Sequence, residues 1–209
     1  MRFAAGTALT LFTVVLAASL SAQEGPAERR DEKPPSDPPE IRLVDQNGKP
    51  FDLQKDRDGR PVLLTFIFTR CPGACPLVME KSVAAAVAAR KAASTKDARR
   101  RPLVVGLSFD PEYDTPKVLR AYAKERGFER KHVALLTGDA AVVKKIVEEY
   151  GVSVGKNPDD GSIFHGFQTV VIDRAGKIVA RYYGYDIDSK ALAEDARKAG
   201  EPAAPVPVP

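Results

Sequence analysis

The chain has 209 residues with 32 Lys and Arg against 28 Asp and Glu, and it contains only two Cys, two His and no Trp. This length suits one globular domain with short extensions. Two cysteines are too few for a disulfide-dense scaffold or a four-thiolate zinc site, and no period of about 20 to 50 residues recurs. The composition argues against zinc fingers and solenoids, and it excludes polytopic membrane proteins because only the N-terminal residues approach a span.

The N-terminal segment predicts export. Arg2 precedes an apolar run over residues 3–20, and the small residues Ser21 and Ala22 follow it. This order is typical of a secretory signal peptide over residues 1–22, and an uncleaved membrane anchor is the alternative because the run is just long enough to span. No Cys follows the run, so a lipoprotein is excluded. We therefore expect a periplasmic protein, which an uncleaved anchor would tether to the inner membrane.

Two segments rich in proline predict disorder on either side of the folded domain. Residues 23–40 contain five prolines among charged residues, and residues 202–209 contain four. Such compositions cannot bury a core and favour extended conformations. We predict a disordered tether over 23–40, a folded domain over 41–200 and a disordered tail over 201–209.

Within the folded domain, the hydrophobic pattern predicts alternating strands and helices. Continuous runs of β-forming residues indicate strands buried on both faces, and Asn47-Gly48 is a hairpin signal. The predicted order is a hairpin of strands 41–44 and 51–53, strand 62–68, helix 76–91, strand 103–109, helix 116–126, strand 133–136, helix 140–150, strand 167–172, strand 178–183 and helix 189–198. This order predicts the α/β class, with a mixed central sheet, helices on both faces and an N-terminal β-hairpin. The βαβ…ββα arrangement is that of the thioredoxin fold.

The sequence Cys-Pro-Gly-Ala-Cys-Pro, from Cys71 to Pro76, directly follows the first buried strand. A proline after each cysteine disfavours helical angles, so we expect both cysteines to be extended and the helix to begin at Pro76. The helix N-terminus would then lower the pKa of a thiol, which produces a nucleophile or a metal ligand. The alternative is a structural disulfide or two inert buried thiols, but a disulfide that closes a five-residue loop constrains little of the unfolded chain. We predict a functional dithiol at Cys71 and Cys75.

Two thiolates are soft ligands that select Cu(I), with zinc as a competitor. Only His132 and His165 can supply an imidazole as a third ligand. His132 adjoins a charged run, so we predict a solvated surface residue. His165 lies between a polar loop at 156–161 and strand 167–172, which this fold places near the cysteines. The alternative for His165 is a partly buried histidine that bonds to backbone.

Taken together, four segments resemble the Sco/SenC copper chaperones of cytochrome c oxidase assembly. They are Phe-Ile-Phe-Thr-Arg-Cys-Pro-Gly-Ala-Cys-Pro at 66–76, Ser-Phe-Asp-Pro-Glu-Tyr-Asp-Thr-Pro at 108–116, Leu-Thr-Gly at 136–138, and His165 before a strand that ends in Ile172-Asp173. The resemblance covers about residues 40 to 187. It implies a thioredoxin-like fold, binding of Cu(I) or Cu(II) by Cys71, Cys75 and His165, and copper delivery to the binuclear copper site of the oxidase. It also implies a periplasmic or membrane-tethered position.

The chain departs from the pattern of that family in two segments. The family usually has Arg where this chain has Tyr113, and commonly Asp-His-Ser or Asp-His-Thr where this chain has Phe164-His165-Gly166. The first departure removes a charge near the site. The second removes side chains that would orient the imidazole.

Asp110 and Asp114 follow the second buried strand, at the end where sites form in α/β sheets. Helix capping accounts for Thr115 and Pro116 beside them but not for the two carboxylates. We predict that Asp110 and Asp114 either hydrogen-bond a ligand or contact a partner.

These features lead to two main functional hypotheses. The first is a metallochaperone without turnover, whose partners are the copper subunit of the oxidase or its assembly factors. The second is a thiol–disulfide oxidoreductase that uses Cys71 and Cys75 as a redox pair to reduce a copper site or another exported protein, and a peroxidase ranks third. Both main functions need a thiol reductant. We expect a monomer. Nucleic acid is not an expected partner, because the basic stretch at 96–101 lacks interleaved aromatic residues that could stack on bases. That stretch is either a solvated loop or a contact for an anionic membrane or an acidic partner.

Overall fold

A computed structural model of the chain describes residues 26–93, 97–159 and 161–202. The predicted signal peptide or anchor over residues 1–22 and most of the predicted C-terminal tail lie outside the described residues. Within the described ranges, no helix is long and apolar enough to cross a membrane.

The elements of the described residues follow the predicted alternation. The strands are β1 (Glu28–Ser36), β2 (Arg42–Asp45), β3 (Pro50–Asp52), β4 (Val62–Ile67), β5 (Leu103–Ser108), β6 (Val133–Thr137), β7 (Val154–Lys156), β8 (Ile163–His165), β9 (Gln168–Ile172) and β10 (Ile178–Tyr183). The helices are α1 (Leu53–Asp56), α2 (Ala74–Ala92), α3 (Pro116–Glu125), α4 (Ala140–Glu149) and α5 (Ser189–Ala199), with a 3-10 turn at Ala98–Arg100.

Eight strands form one mixed sheet in the order β1-β10-β9-β4-β5-β6-β2-β3. Strands β4, β5 and β6 are parallel neighbours, whereas β9 runs antiparallel to β4. Successive side chains of a strand point to opposite faces, and β4 accordingly contributes Leu63 to one core cluster and Leu64 to the other. Helices α2, α3 and α5 contribute to the first cluster and α4 to the second. The predicted mixed sheet with helices on both faces is confirmed.

The parallel strands give the sheet two functionally different edges. The chain leaves β4 toward the cysteines and leaves β5 toward Asp110 and Asp114, so these residues meet at what we call the carboxyl edge. The chain enters β4, β5 and β6 at the opposite side, the amino edge. Parallel pairing therefore gathers segments that are far apart in sequence.

The structure corrects the predicted disorder of the tether for residues 28–36. These residues form β1, which pairs antiparallel with β10 from Glu28 opposite Tyr183 onward. Backbone pairing and ion pairs hold this edge strand, including a bond from Arg29 Nη2 to Asp195 Oδ1 of 3.0 Å. The composition of a segment indicates how much apolar surface it can bury, but not whether its backbone pairs with another strand. Composition therefore did not predict β1.

Two local expectations near the cysteines and His165 are also corrected. Helix α2 begins at Ala74, so Cys75 is helical and Pro76 lies inside the first turn. A proline is tolerated there because the first N–H groups of a helix have no intrahelical acceptor. The sequence analysis also missed β7 and β8, a separate two-stranded antiparallel hairpin whose strands flank the predicted polar loop before His165.

Candidate metal centre

The two cysteine sulfurs lie at the N-terminus of α2. Cys71 is 8% exposed and Cys75 is fully buried, and both are free thiols. Gly73, the N-cap residue of α2, has no side chain that could accept a bond from the first turn. The Cys71 sulfur takes that role, because the backbone N–H of Cys75 donates to Cys71 Sγ at 3.4 Å. The helix end therefore stabilises negative charge on Cys71.

The Cys71 and Cys75 thiols have very different pKa values. Hydrogen bonds from the Cys75 thiol, to the His165 imidazole and from the backbone N–H groups of Cys75 and Gly73 outweigh burial and lower the pKa of Cys71 from 9.0 to about 3. The bond to Cys71 and burial raise the pKa of Cys75 well above its ordinary value. The reduced site is a Cys71 thiolate beside a Cys75 thiol. A metal ion that binds both sulfurs must displace the proton of Cys75.

His165 closes the site from β8. Its Nε2 lies 3.6 Å from Cys75 Sγ, and its Nδ1 lies 3.1 Å from the carbonyl oxygen of Gly166. A carbonyl can only accept, so Nδ1 donates, and in the neutral imidazole Nε2 carries the lone pair that can bind a metal. The ligand atoms of Cys71, Cys75 and His165 all lie within 4.8 Å of one another. Among the described residues, this is the one group of three or more His, Cys, Asp or Glu side chains placed to hold a metal ion.

Three phenylalanine rings surround the His165 imidazole. The centroid distances are 4.3 Å to Phe167, 4.6 Å to Phe109 and 5.6 Å to Phe68. These rings come from the residues that follow β4 and β5 and from the residue before β9. The ring contacts limit the rotation of the imidazole and shield one side of the site from water.

Asp114 and Asp110 anchor the loop that carries Cys71 and are not among the grouped ligand atoms. Fully buried Asp114 accepts hydrogen bonds from Thr69 N at 3.0 Å, from Thr69 Oγ1 and from Ser108 Oγ at 2.6 Å. Asp110 accepts from Arg70 Nη2 at 2.6 Å. Sequence reasoning singled out the carboxylates but missed their three partners. The available signal was that Thr69, Arg70 and Ser108 all lie in the segments that carried the family resemblance.

Comparisons with known proteins identify the family. The family model described as SCO1/SenC matches residues 31–201. The chain belongs to the SCO1/SenC family. A SCO2-like protein of Rickettsia typhi is 31% identical over 161 residues, which cover 74% of this chain and 73% of that protein. A putative copper-binding protein of Stutzerimonas stutzeri is 27% identical over 143 residues, 67% of this chain and 66% of that one.

Solved structures of the same family contain copper. Arabidopsis thaliana ScoI with copper bound is 25% identical, with a TM-score of 0.65 over 78% of this chain and 96% of that one. Bradyrhizobium japonicum ScoI with copper bound is 27% identical, with a TM-score of 0.63 over 78% of this chain and 99% of that one. These likenesses confirm the predicted family and the thioredoxin-like fold.

The departures from the SCO1/SenC pattern have local explanations. Tyr113 is 47% exposed, and its ring lies 4.3 Å from the guanidinium carbon of Arg70, a cation–π contact at the rim of the site. Phe164 is 62% exposed, and Gly155 on the paired strand lies beneath its ring. In this chain the Gly166 carbonyl and the ring contacts orient His165.

His132 lies at the amino edge, apart from the cysteines. The expectation that it is solvated is wrong, because it is half-buried and its Nε2 is shielded from solvent without a hydrogen-bond partner among the described residues. Burial and the nearby Arg130, Arg90 and Arg60 lower its pKa. Of the two histidines, it is His165 that joins the cysteines.

Proposed function

We propose that this chain is an exported copper-binding metallochaperone that delivers copper to the binuclear copper site of cytochrome c oxidase. The observation that carries the proposal is the convergence of two cysteine sulfurs and an imidazole nitrogen within 4.8 Å. Two thiolates suit Cu(I), and an added nitrogen suits Cu(II). Copper in solved family members supports this choice over zinc.

The site is built to take up and release its cargo from one side. Cys75 is fully buried, whereas Cys71 keeps a small exposed fraction and the His165 side is half-exposed. An arriving copper ion meets the Cys71 thiolate first, and binding by Cys75 then requires loss of its proton. The ligands of an acceptor enter from the Cys71 and His165 side, so release by ligand exchange needs no opening of the core.

The compartment and the partners are part of the same proposal. The N-terminal apolar run supports export to the periplasm, with or without a retained anchor. In an oxidising compartment the dithiol persists only if a thiol reductant maintains it. We expect the copper subunit of the oxidase or one of its assembly factors to accept the copper.

Copper binding and copper transfer test the proposal in sequence. The reduced protein is expected to bind one copper ion, whereas the protein oxidised to the Cys71–Cys75 disulfide and the double variant Cys71→Ser/Cys75→Ser bind none. The loaded protein is then mixed with the apo copper domain of an oxidase subunit, and the absorption of the binuclear site is recorded. Equal copper uptake by the double variant rules out the metal site, and uptake without transfer rules out the oxidase as the client.

A second function, thiol–disulfide exchange, is favoured by the unequal exposure of the two sulfurs. The accessible Cys71 thiolate attacks one sulfur of a client disulfide, which forms a mixed disulfide and releases the other client sulfur as a thiolate. Deprotonated Cys75 then attacks Cys71, which frees the second client thiolate and leaves a Cys71–Cys75 disulfide for an external dithiol to reduce. Under this function Cys75→Ser traps the mixed disulfide with the oxidised copper domain. Trapping without copper transfer by the wild type would place the chain among the reductases.

A further inference from the structure

A second set of functional side chains lies at the amino edge of the sheet, opposite the metal centre. Arg60, Arg101 and Lys131 each precede the first residue of a parallel strand, β4, β5 and β6 respectively, by two positions. The strands pair in parallel with Val62 opposite Leu103 and Val104 opposite Val133. This register brings three cationic side chains together from segments about 30 to 40 residues apart.

These side chains line a cavity of about 350 Å3, which we call the basic pocket. Arg90 from the end of α2 and His132 complete its charged lining, and Asp58 is the one carboxylate that lines it. Within the described part of the chain, Arg60, Arg90, Arg101 and Lys131 form no salt bridge. The pocket therefore carries an excess of positive charge, which Asp58 balances only in part.

His132 also lines the pocket. Its Nε2 bonds to no described residue and is shielded from solvent, so this nitrogen does not face the open space of the pocket. The cations Arg130, Arg90 and Arg60 add to the effect of burial in lowering the pKa of His132. An anion held by the cations would lie close to the imidazole, so His132 reports on the occupancy of the pocket.

Ordinary structural roles account for only part of the pocket. Arg60 donates to the carbonyl oxygens of Arg57 at 3.0 Å and Asp56 at 3.2 Å. Arg90 lies in the last turn of α2, where a cation complements the helix dipole. Neither role applies to Arg101, to Lys131 or to the unpartnered nitrogen of His132.

We propose that the basic pocket binds a phosphate-class oxyanion, held by Arg90, Arg101 and Lys131. Guanidinium groups match the oxygens of phosphate in a bidentate geometry, and the lysine adds a point charge. The volume suits one or two phosphate groups rather than an extended polymer. The oxyanion is either a free solute or the headgroup of an anionic phospholipid.

Pyrophosphate is the first probe. Its binding can be followed at the two histidines of the chain, which lie at opposite edges of the sheet. We expect the imidazole resonances of His132 to shift during a titration of the reduced, copper-free protein, while those of His165 stay in place. Calorimetry gives the affinity of the same sample. If no heat of binding is observed and His132 does not respond, with vesicles equally without effect, the proposal is wrong.

Charge-matched variants locate the binding. Arg90→Ala and Lys131→Ala are each expected to weaken pyrophosphate binding about tenfold, since each removes a charge-assisted contact. The controls are Arg42→Ala and Lys117→Ala, which remove the same charges outside the pocket and should leave the affinity within about twofold. Equal weakening in targets and controls would mean nonspecific attraction to a cationic surface, and it would overturn the proposal.

Vesicles distinguish the two sources of the oxyanion. Binding to phosphatidylglycerol vesicles that is lost in Arg90→Ala, with no binding to phosphatidylcholine vesicles, identifies a lipid headgroup. Pyrophosphate binding that phosphatidylglycerol vesicles do not compete with identifies a free solute. Vesicle binding that Arg90→Ala and Lys131→Ala leave unchanged, together with no response to pyrophosphate, refutes a site in this pocket.

Discussion

The two arms of the metal centre are supported in different ways. The cysteine arm follows β4 in the middle of the eight-stranded sheet, and the fully buried Asp114 carboxylate ties its loop to β5 through three hydrogen bonds. The histidine arm is a two-stranded hairpin outside that sheet, and ring packing and one backbone bond orient its imidazole. The cysteine arm is therefore fixed by the core, whereas the histidine arm is held by contacts that a single substitution can loosen.

This difference predicts a division of labour between the oxidation states of copper. Two thiolates satisfy Cu(I) in near-linear geometry, whereas Cu(II) prefers additional nitrogen donors. Changes in the histidine arm should weaken the binding of Cu(II) and leave the binding of Cu(I) nearly unchanged. Changes in the cysteine arm should affect both oxidation states and the stability of the fold.

Removal of the imidazole is expected to have the largest effect. His165→Ala should weaken Cu(II) binding at least about a hundredfold. That is the upper end of the loss caused by removing a residue that only hydrogen-bonds a metal ligand, and His165 is itself a ligand. The thiolate-to-copper charge-transfer band should largely disappear, while Cu(I) binding and dithiol–disulfide cycling persist.

The matched control for the imidazole is His132→Ala, which removes the only other histidine of the chain from the opposite edge of the sheet. It should leave the Cu(II) spectrum unchanged. Wild-type Cu(II) spectra in both histidine variants would contradict the three-ligand site and favour the reductase function. Thermal denaturation of each variant checks that the fold is retained.

The buried carboxylate of the cysteine arm comes next. Asp114→Asn should lower the free energy of unfolding by about 2 kcal/mol, because a charged acceptor of buried hydrogen bonds is lost. Asp110→Asn is the control and should cost less than about 1 kcal/mol, since its partner Arg70 is half-exposed. Urea denaturation of both variants measures the difference. Equal losses would show that Asp114 is no special anchor.

The thiol pair should titrate asymmetrically. Thiolate absorbance of the reduced, copper-free protein should show one sulfur ionised well below the ordinary pKa of 9.0 and the other still protonated above it. A single transition of two thiols at or above that pKa would contradict the helix-end argument.

The same asymmetry sets the sign of the pH dependence of stability. Because the folded state lowers the pKa of Cys71, its contribution is complete above pH 9.0 and is lost as the pH falls toward about 3. The raised pKa of Cys75 acts in the opposite direction above pH 9.0. The difference in unfolding free energy between wild type and Cys71→Ser should therefore rise from acid to neutral pH.

The smallest effect is expected at the exposed tip of the histidine arm. Phe164→Ala should change the Cu(II) affinity less than about threefold, because this ring packs over Gly155 and not against the imidazole. Phe167→Ala should lower the Cu(II) affinity about tenfold, since the Phe167 ring lies 4.3 Å from that of His165 and holds it in place. Cu(II) titrations of the two variants compare them. Similar losses would mean that the hairpin as a whole, rather than ring packing, positions the imidazole.

Much of the fold was predictable from the sequence, because its central elements carry strong local signals. The uninterrupted apolar runs of β4 and β5 marked buried strands, and Asn47-Gly48 marked the hairpin of β2 and β3. The edge strand β1 carried no such signal. Its stability comes from pairing with β10, and a distant partner is invisible in local composition.

Residue types and their spacing establish the chemistry of the site, whereas its geometry comes from the packing of distant segments. Two thiols at the N-terminus of a helix predict a nucleophile or a soft metal ligand from residue type and spacing alone. Which histidine joins them depends on chain segments about 90 residues apart, and only the packing of β8 over the carboxyl edge brings Nε2 of His165 to 3.6 Å from Cys75. The role of Asp114 as an anchor and the gathering of the basic pocket have the same cause. Parallel strand pairing joins residues whose separation in sequence no local pattern can bridge.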